Sequence, residues 1–381
     1  MDFSFSEDQT AIRDLANQIF SDRTTDEFLL KFDKNDEVYD DALWTTLAEQ
    51  GLLGITIGEE FGGTGLGFTE LCLMLEEQGR RISPIPLYSS LVLGVLPVSE
   101  FGTVEQKHKY LAPLVAGELK LTAAIAEIGM SDAIAGLVTA VKTGDKWTLS
   151  GTLACVPDSG VANAIIVPAS CDGEHTIFIV ETDTAGVGVE LQCSSLGGNE
   201  GTLNLDSVEL GADSVLGEVG RGADVLAWLE LRAEIAICAL QVGVTEEALK
   251  RTAEFTCERK QFGAPIGSFQ AVAMQAADAF IDVEAIRSTY WLALYRLTND
   301  LDARAEVRCA KWWAVDAGHR IVYRTQHLHG GIGSDLEFPI HRFFLWAKHL
   351  GLMLGGRSVQ ITKLGKLLAS DETIGIAALQ V

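Results

Sequence analysis

ERKQFGAPIGSFQ, residues Glu258 to Gln270, is the stretch that decides the fold of this 381-residue chain. It lies between two long runs with helical periodicity. It carries a fixed cation at Arg259, an aromatic at Phe262 and a Gly-Ala-Pro-Ile-Gly turn before a helix start at Ser268. A guanidinium beside a tight turn and a helix N-terminus suits a pyrophosphate, because positive charge and unpaired amide N–H groups face the same anion.

Working outward, the helical signal runs through WLELRAEIAICALQVGVTEEALKRTAEFTCERK, SFQAVAMQAADAFIDVEAIRSTYWLALYRLT and AEVRCAKWWAVDAGHRIVYRTQHL, which predicts a four-helix-bundle-like antiparallel domain over 225–370 and a tail over 371–381. Upstream, KWTLSG, NAIIVPAS, HTIFIVET and GVGVELQC are short β-rich runs punctuated by Gly, Asp and Asn, so 119–224 reads as a β domain. The first part, 1–118, reads helical. Ser6 and Gln9 have capping-box spacing ahead of Ile12, Leu15 and Ile19, and DALWTTLAEQGLLGI and TELCLMLEEQGRRI flank a tight FGGTGLG connection. The fold class is multi-domain α+β in the order α, β, α, as a chain too long for one hydrophobic core requires.

Composition narrows the function. The formal charge of −24 repels nucleic-acid phosphates and anionic lipid headgroups, and reads as a solvated acidic surface. The seven cysteines have no CxxC pair, which signals neither a metal site nor a disulfide framework. Acidic residues early in MDFSFSEDQTAIRDLANQIF, and the absence of a long uninterrupted apolar stretch, predict a cytoplasmic protein with no membrane partner. A second motif, HLHGGIG at His327 to Gly333, places adjacent glycines beside polar rings, where a ligand can approach the backbone or where a helix simply ends.

Together these motifs resemble the acyl-CoA dehydrogenase family, with its ER-x-x-FG-x-x-I-x-x-FQ and QLHGGIG-like stretches. The match spans nearly the whole chain, including EEFGG at Glu59 to Gly63, AGE at Ala116 to Glu118 and SGT at Ser150 to Thr152. The resemblance implies an FAD cofactor and an acyl-CoA substrate. Arg259 would reach the FAD pyrophosphate of a neighbouring subunit, Phe262 and Gln270 would line the same cofactor, and Gly330 and Gly331 would admit its adenosine part. His327, where a flavin-contacting Gln is common, would donate a ring N–H. It also implies a homo- or hetero-oligomer, a dimer or dimer of dimers, and an electron-transferring flavoprotein as acceptor. The β-domain signature appears as AEIGMSD at Ala126 to Asp132. Ala126 replaces a flavin-bonding Thr while Glu127, Ser131 and Asp132 remain, and CVPDSG at Cys155 to Gly160 replaces the usual packing beside the isoalloxazine.

Such a fold performs α,β-dehydrogenation, which needs a desolvated carboxylate to take the α-proton. Leu354 occupies the position of the family's usual base. The alternative base position, on the helix before the ER motif, holds Ala233, with Glu234 where an Arg is usual. Glu234 is then either a relocated base or a paired group, with Glu230 one turn earlier on a similar face. The pattern Leu328 to Arg342 and the LGG at Leu354 to Gly356 look like the shorter, base-lacking subunit of heteromeric steroid-side-chain acyl-CoA dehydrogenases. Three readings follow: a dehydrogenase subunit for a bulky, branched or steroid-side-chain acyl-CoA, a non-catalytic partner completing the flavin site of a base-bearing homologue, or a flavin monooxygenase on the same fold.

Overall fold

The computed structural model describes residues 5–35, 37–125 and 137–374. Residue contacts divide the chain into two interleaved compact units, Met1–Glu37, Cys72–Ser83 and Glu234–Val381 in the first, Val38–Leu71 and Pro84–Ala233 in the second. These units run across the sequence boundaries at 118 and 224. The architecture is that of the expected class: N-terminal helices, a middle β-sheet and C-terminal helices.

The N-terminal helices are α1 (Glu7–Arg23), α2 (Asp26–Phe32), α3 (Asp41–Glu49), α4 (Phe68–Arg81), a π-helical segment Tyr88–Val95, α5 (Leu96–Phe101) and α6 (Val104–Val115). Helix α1 starts where the capping box predicts: the Gln9 N–H donates to Ser6 Oγ and the Ser6 N–H to Gln9 Oε1, both at 3.1 Å. Thr103 and Gln106 cap α6 in the same way. The FGGTGLG connection is tight: a Cβ on Gly63 would lie 2.1 Å from the Ile57 carbonyl oxygen.

In the second unit the strands β1 (Leu121–Ala123), β2 (Val138–Thr143), β3 (Lys146–Val156), β4 (Ala164–Cys171), β5 (Glu174–Glu181), β6 (Val187–Leu191), β7 (Gly201–Leu210) and β8 (Val215–Leu216) form one sheet. Its order is β6-β7-β3-β2-β4-β5-β8, with β1 parallel to β4. Alternating burial along β7 and β3 directs one face inward, where Trp147 meets Phe178 edge-on at 5.2 Å and Leu149, Leu203 and Val208 close the core.

The first unit is built on α7 (Gly222–Glu258, within this unit from Glu234), α8 (Gln270–Thr298), α9 (Arg304–His329), α10 (Ile340–Leu352) and α11 (Arg357–Ser370), with the hairpin β9 (Lys260–Gln261) and β10 (Ala264–Pro265) after α7. Helix α8 begins two residues later than the sequence suggested, because Ile266–Ser268 forms a 3-10 turn first. Helices α4 and α7 touch backbone to backbone: a Cβ on Gly243 would lie 1.9 Å from the Glu76 carbonyl oxygen, and one on Gly79 2.2 Å from that of Leu240. Among the described residues no helix is long and apolar enough to cross a membrane.

This close crossing leaves Glu76 buried beside Tyr290. Burial pushes its carboxyl up to about 7 against the attraction of Arg287 and Arg80. An unfolded Glu releases its proton near 4.5, so across roughly pH 4.5 to 7 the folded state binds the proton more tightly and stability falls as pH rises. We expect Glu76→Gln to flatten that fall. Thermal midpoints of both proteins across this pH window test it, and parallel slopes would refute the assignment.

Candidate active site and cofactor end

Two sequence motifs meet at one end of the helical unit. Arg259 follows the last residue of α7, its N–H donating to the Phe255 carbonyl at 2.8 Å, and its own carbonyl accepts from Ile266 at 2.8 Å, closing the hairpin. The hairpin tip holds Phe262 at φ 52° and Gly263 at φ 81°, and the Phe262 side chain is 95% exposed, 6.2 Å from the Phe269 ring. Arg259 and Gln270 are also exposed. Opposite, α9 ends at His329, which stacks on Phe255 at 4.3 Å and 24°. Gly330 then turns the chain at φ 65°, and a Cβ on Gly330 or Gly331 would meet nothing within 4 Å. His327 Nδ1 lies 3.3 Å from Gln275 Oε1 on α8.

An exposed guanidinium, an uncovered glycine turn and a solvated aromatic fit the adenosine diphosphate part of FAD: the cation and amides take phosphate, the ring takes a planar base. The β-domain segments that the resemblance assigns to the flavin are taken by themselves. Ala126, Glu127, Ser131 and Asp132 lie outside the described residues. The CVPDSG turn is held by Ser89 Oγ donating to Asp158 Oδ2 at 2.5 Å and Thr122 Oγ1 to the Pro157 carbonyl at 2.7 Å, with Cys155 and Asp158 both at positive φ.

The base region is built differently. Leu354 lies in the turn between α10 and α11, at φ 55° and only 3% exposed. Its carbonyl accepts from Gln360 Nε2 at 3.0 Å, and the same amide nitrogen donates to Glu234 Oε1 at 2.8 Å. Glu234, 0% exposed, also ion-pairs with Arg308. Lys311, equally buried, donates to the Leu350 carbonyl at 2.7 Å near the end of α10. Burial brings the Lys311 ammonium down to about 8, and burial likewise pushes the Cys238 thiol up to about 12. Ala233 is buried and Glu230 half-buried on α7. The expectation of Glu234 as a relocated base thus meets a carboxylate whose surroundings are those of a structural ion pair: a guanidinium and an amide occupy one of its oxygens.

Sequence reading missed Arg308, Lys311 and Gln360. Lys311 had a signal: it falls on the stripe Val307, Ala310, Ala314, Gly318 and Ile321 that α9 buries, and a charge there needs a partner. Helix α8 carries an unexpected surface, with Met274, Phe280, Ile281 and Leu292 all more than half exposed. That much apolar area on one helix is characteristic of an interface.

Residues 6–118 match the model of the acyl-CoA dehydrogenase N-terminal domain and residues 220–369 that of its C-terminal domain. This chain belongs to the acyl-CoA dehydrogenase family, FAD-dependent oxidoreductases acting on CH–CH bonds. It is 34% identical over 378 residues to acyl-CoA dehydrogenase FadE27 of Mycobacterium tuberculosis, covering 97% of this chain and 99% of that one. Among solved structures it is similar to a Tcur3481-Tcur3483 steroid ACAD variant (41% identity, TM-score 0.88, 96% of this chain and 98% of that one). It is also similar to the ChsE4-ChsE5 complex of Mycobacterium tuberculosis (34% identity, TM-score 0.91, 97% and 100%).

Breaking the Glu234 pair on one side leaves a buried charge, so Arg308→Met should destabilise the protein by roughly 3–5 kcal/mol. The double change Glu234→Leu with Arg308→Met should recover most of that. Denaturant titrations of the parent, each single variant and the double variant test this, and simple additivity of the two changes would contradict it.

Proposed function

We propose that this chain is the base-lacking subunit of a heteromeric, FAD-dependent acyl-CoA dehydrogenase acting in the cytoplasm on a bulky, steroid-side-chain-type CoA thioester. The observation that carries the reading is the pairing of Leu354 at the base position with a Glu234 carboxylate locked to Arg308 and Gln360. Leucine has no proton-accepting group, and a carboxylate held by a buried guanidinium is poorly placed to take a proton from a thioester α-carbon. The similarity to a steroid ACAD and to the two-component ChsE4-ChsE5 complex supports both the substrate class and the heteromer.

In this reading Arg259, Phe262, Gln270, His327, Gly330 and Gly331 hold the adenosine diphosphate part of an FAD whose flavin part is seated in the partner. FAD supplies hydride acceptance from the thioester β-carbon when bound, and electron-transferring flavoprotein is the acceptor expected of the family. Arg259 neutralises pyrophosphate charge, Phe262 leaves water for a planar contact, and the glycines allow close backbone approach. The partner, a longer homologue carrying the Glu, supplies the base. The exposed apolar residues of α8 support assembly.

The test is expression alone and together with a longer homologue that carries the Glu. Alone, the chain should be colourless and should not reduce a dye with acyl-CoA. Together, the complex should carry about half a flavin per chain, one for each unlike pair. A yellow, dye-reducing preparation of this chain by itself would end the proposal.

A further inference from the structure

We propose that His329 is a positioning residue whose ring couples the Arg259 hairpin to the Gly330–Gly331 turn, so that cation and open backbone face one anionic ligand together. The inference rests on the reading that this end of the helical unit holds the adenosine diphosphate part of FAD.

His329 is the last residue of α9 and is buried. Its Nδ1 lies 2.8 Å from the Thr325 carbonyl, which only accepts, so Nδ1 carries the proton and the ring orientation is fixed to its own helix. Burial lowers the basicity of the imidazole, which favours the neutral ring suited to stacking. Phe255 of α7 stacks on it at 4.3 Å, and Phe338 approaches it tilted at 5.4 Å. The Phe255 carbonyl accepts the Arg259 N–H, so the residue that meets the ring also fixes the start of the hairpin.

On the other side the glycine turn folds back over the same residue. A Cβ on Gly333 would come within 3.2 Å of His329 Cβ and 2.5 Å of the Gln326 carbonyl oxygen. One ring therefore has the Arg259 backbone referenced to it through Phe255 and the Gly330–Gly333 turn through its own main chain. Moving the ring shifts one element relative to the other, whereas a residue that only filled space would loosen both without changing their register. Phosphate recognition by a guanidinium together with backbone amides depends on that register.

The test uses the co-expressed heteromer and measures FAD affinity by equilibrium dialysis. His329→Leu, His329→Phe and the parent are each prepared with Arg259 and with Arg259→Gln, and the thermal midpoint of every protein is recorded. We expect His329→Leu to weaken FAD binding about tenfold with Arg259 present and less than about twofold with Arg259→Gln, the non-additivity of groups acting through one contact. His329→Phe, which keeps the stack, should recover most of the affinity. Equal losses in both backgrounds, or no loss in either, overturn the coupling. If His329→Leu does not fold, Phe255→Leu replaces it in the same cycle with the same expected outcomes. A parent heteromer that holds no FAD overturns the underlying reading, and this inference with it, which is a different result from a flavin-bearing parent with additive variants.

Discussion

A carboxylate taken fully out of water must be paired, and the pairing of Glu234 organises the base end of the helical unit. Arg308 supplies the counter-charge from α9 and Gln360 a neutral donor from α11, so three helices are tied at one buried point. Gln360 then spends its amide nitrogen twice, on Glu234 and on the Leu354 carbonyl. Lys311 finishes the anchoring by donating to Leu350 in the last turn of α10, where a cation also opposes the negative end of the helix. A non-glycine residue at φ 55° needs such fixed surroundings, and Leu354 has them on both sides.

The same anchoring decides what chemistry the turn can support. A general base needs a carboxylate that faces the substrate, is free of a competing cation and can accept a proton along an unobstructed line. Glu234 is one helical position from Ala233, where family resemblance allows a base, yet about 100° of helix rotation separates neighbouring residues and turns it toward Arg308 and Gln360 instead. The position that the resemblance assigns to the usual base, Leu354, holds an aliphatic side chain. These partners fix the conformation of the turn.

Much of the architecture was legible because it follows from local rules. The Ser6–Gln9 box and the β-rich middle run are short-range signals, and each corresponds to a physical element at nearly the expected place. The start of α8 was misread by two residues because Pro265 and Gly267 favour a 3-10 turn that periodicity does not register. The site divides the same way. Arg259, Phe262, Gly330 and Gly331 stand in contiguous motifs and could be named. The partners of Glu234 are Arg308 and Gln360, 74 and 126 residues away, and no spacing rule connects them. His329 was legible as a histidine but not as a coupling element, since its meaning depends on Phe255 arriving against it from α7.

The cofactor end and the base end differ in how each uses burial. At the base end Glu234 and Lys311 are enclosed and paired within the chain, while Arg357, after the Leu354 turn, is largely exposed beside a cavity of about 520 Å³. At the cofactor end Arg259 and Phe262 project outward, with Phe262 almost fully solvated at a conformation that branched or bulky residues avoid. Exposing an aromatic ring in water forgoes the favourable transfer that burial would give, roughly 1.5–3 kcal/mol for a side chain of that size. A folded single chain gains nothing from that arrangement, whereas a subunit in an assembly recovers the transfer term when the ring is covered by cofactor and partner. The exposed groups therefore point away from the chain's own interior, and an enclosed Glu234 together with an open Arg259 hairpin is what the proposed base-lacking subunit, contributing binding rather than proton transfer, would have.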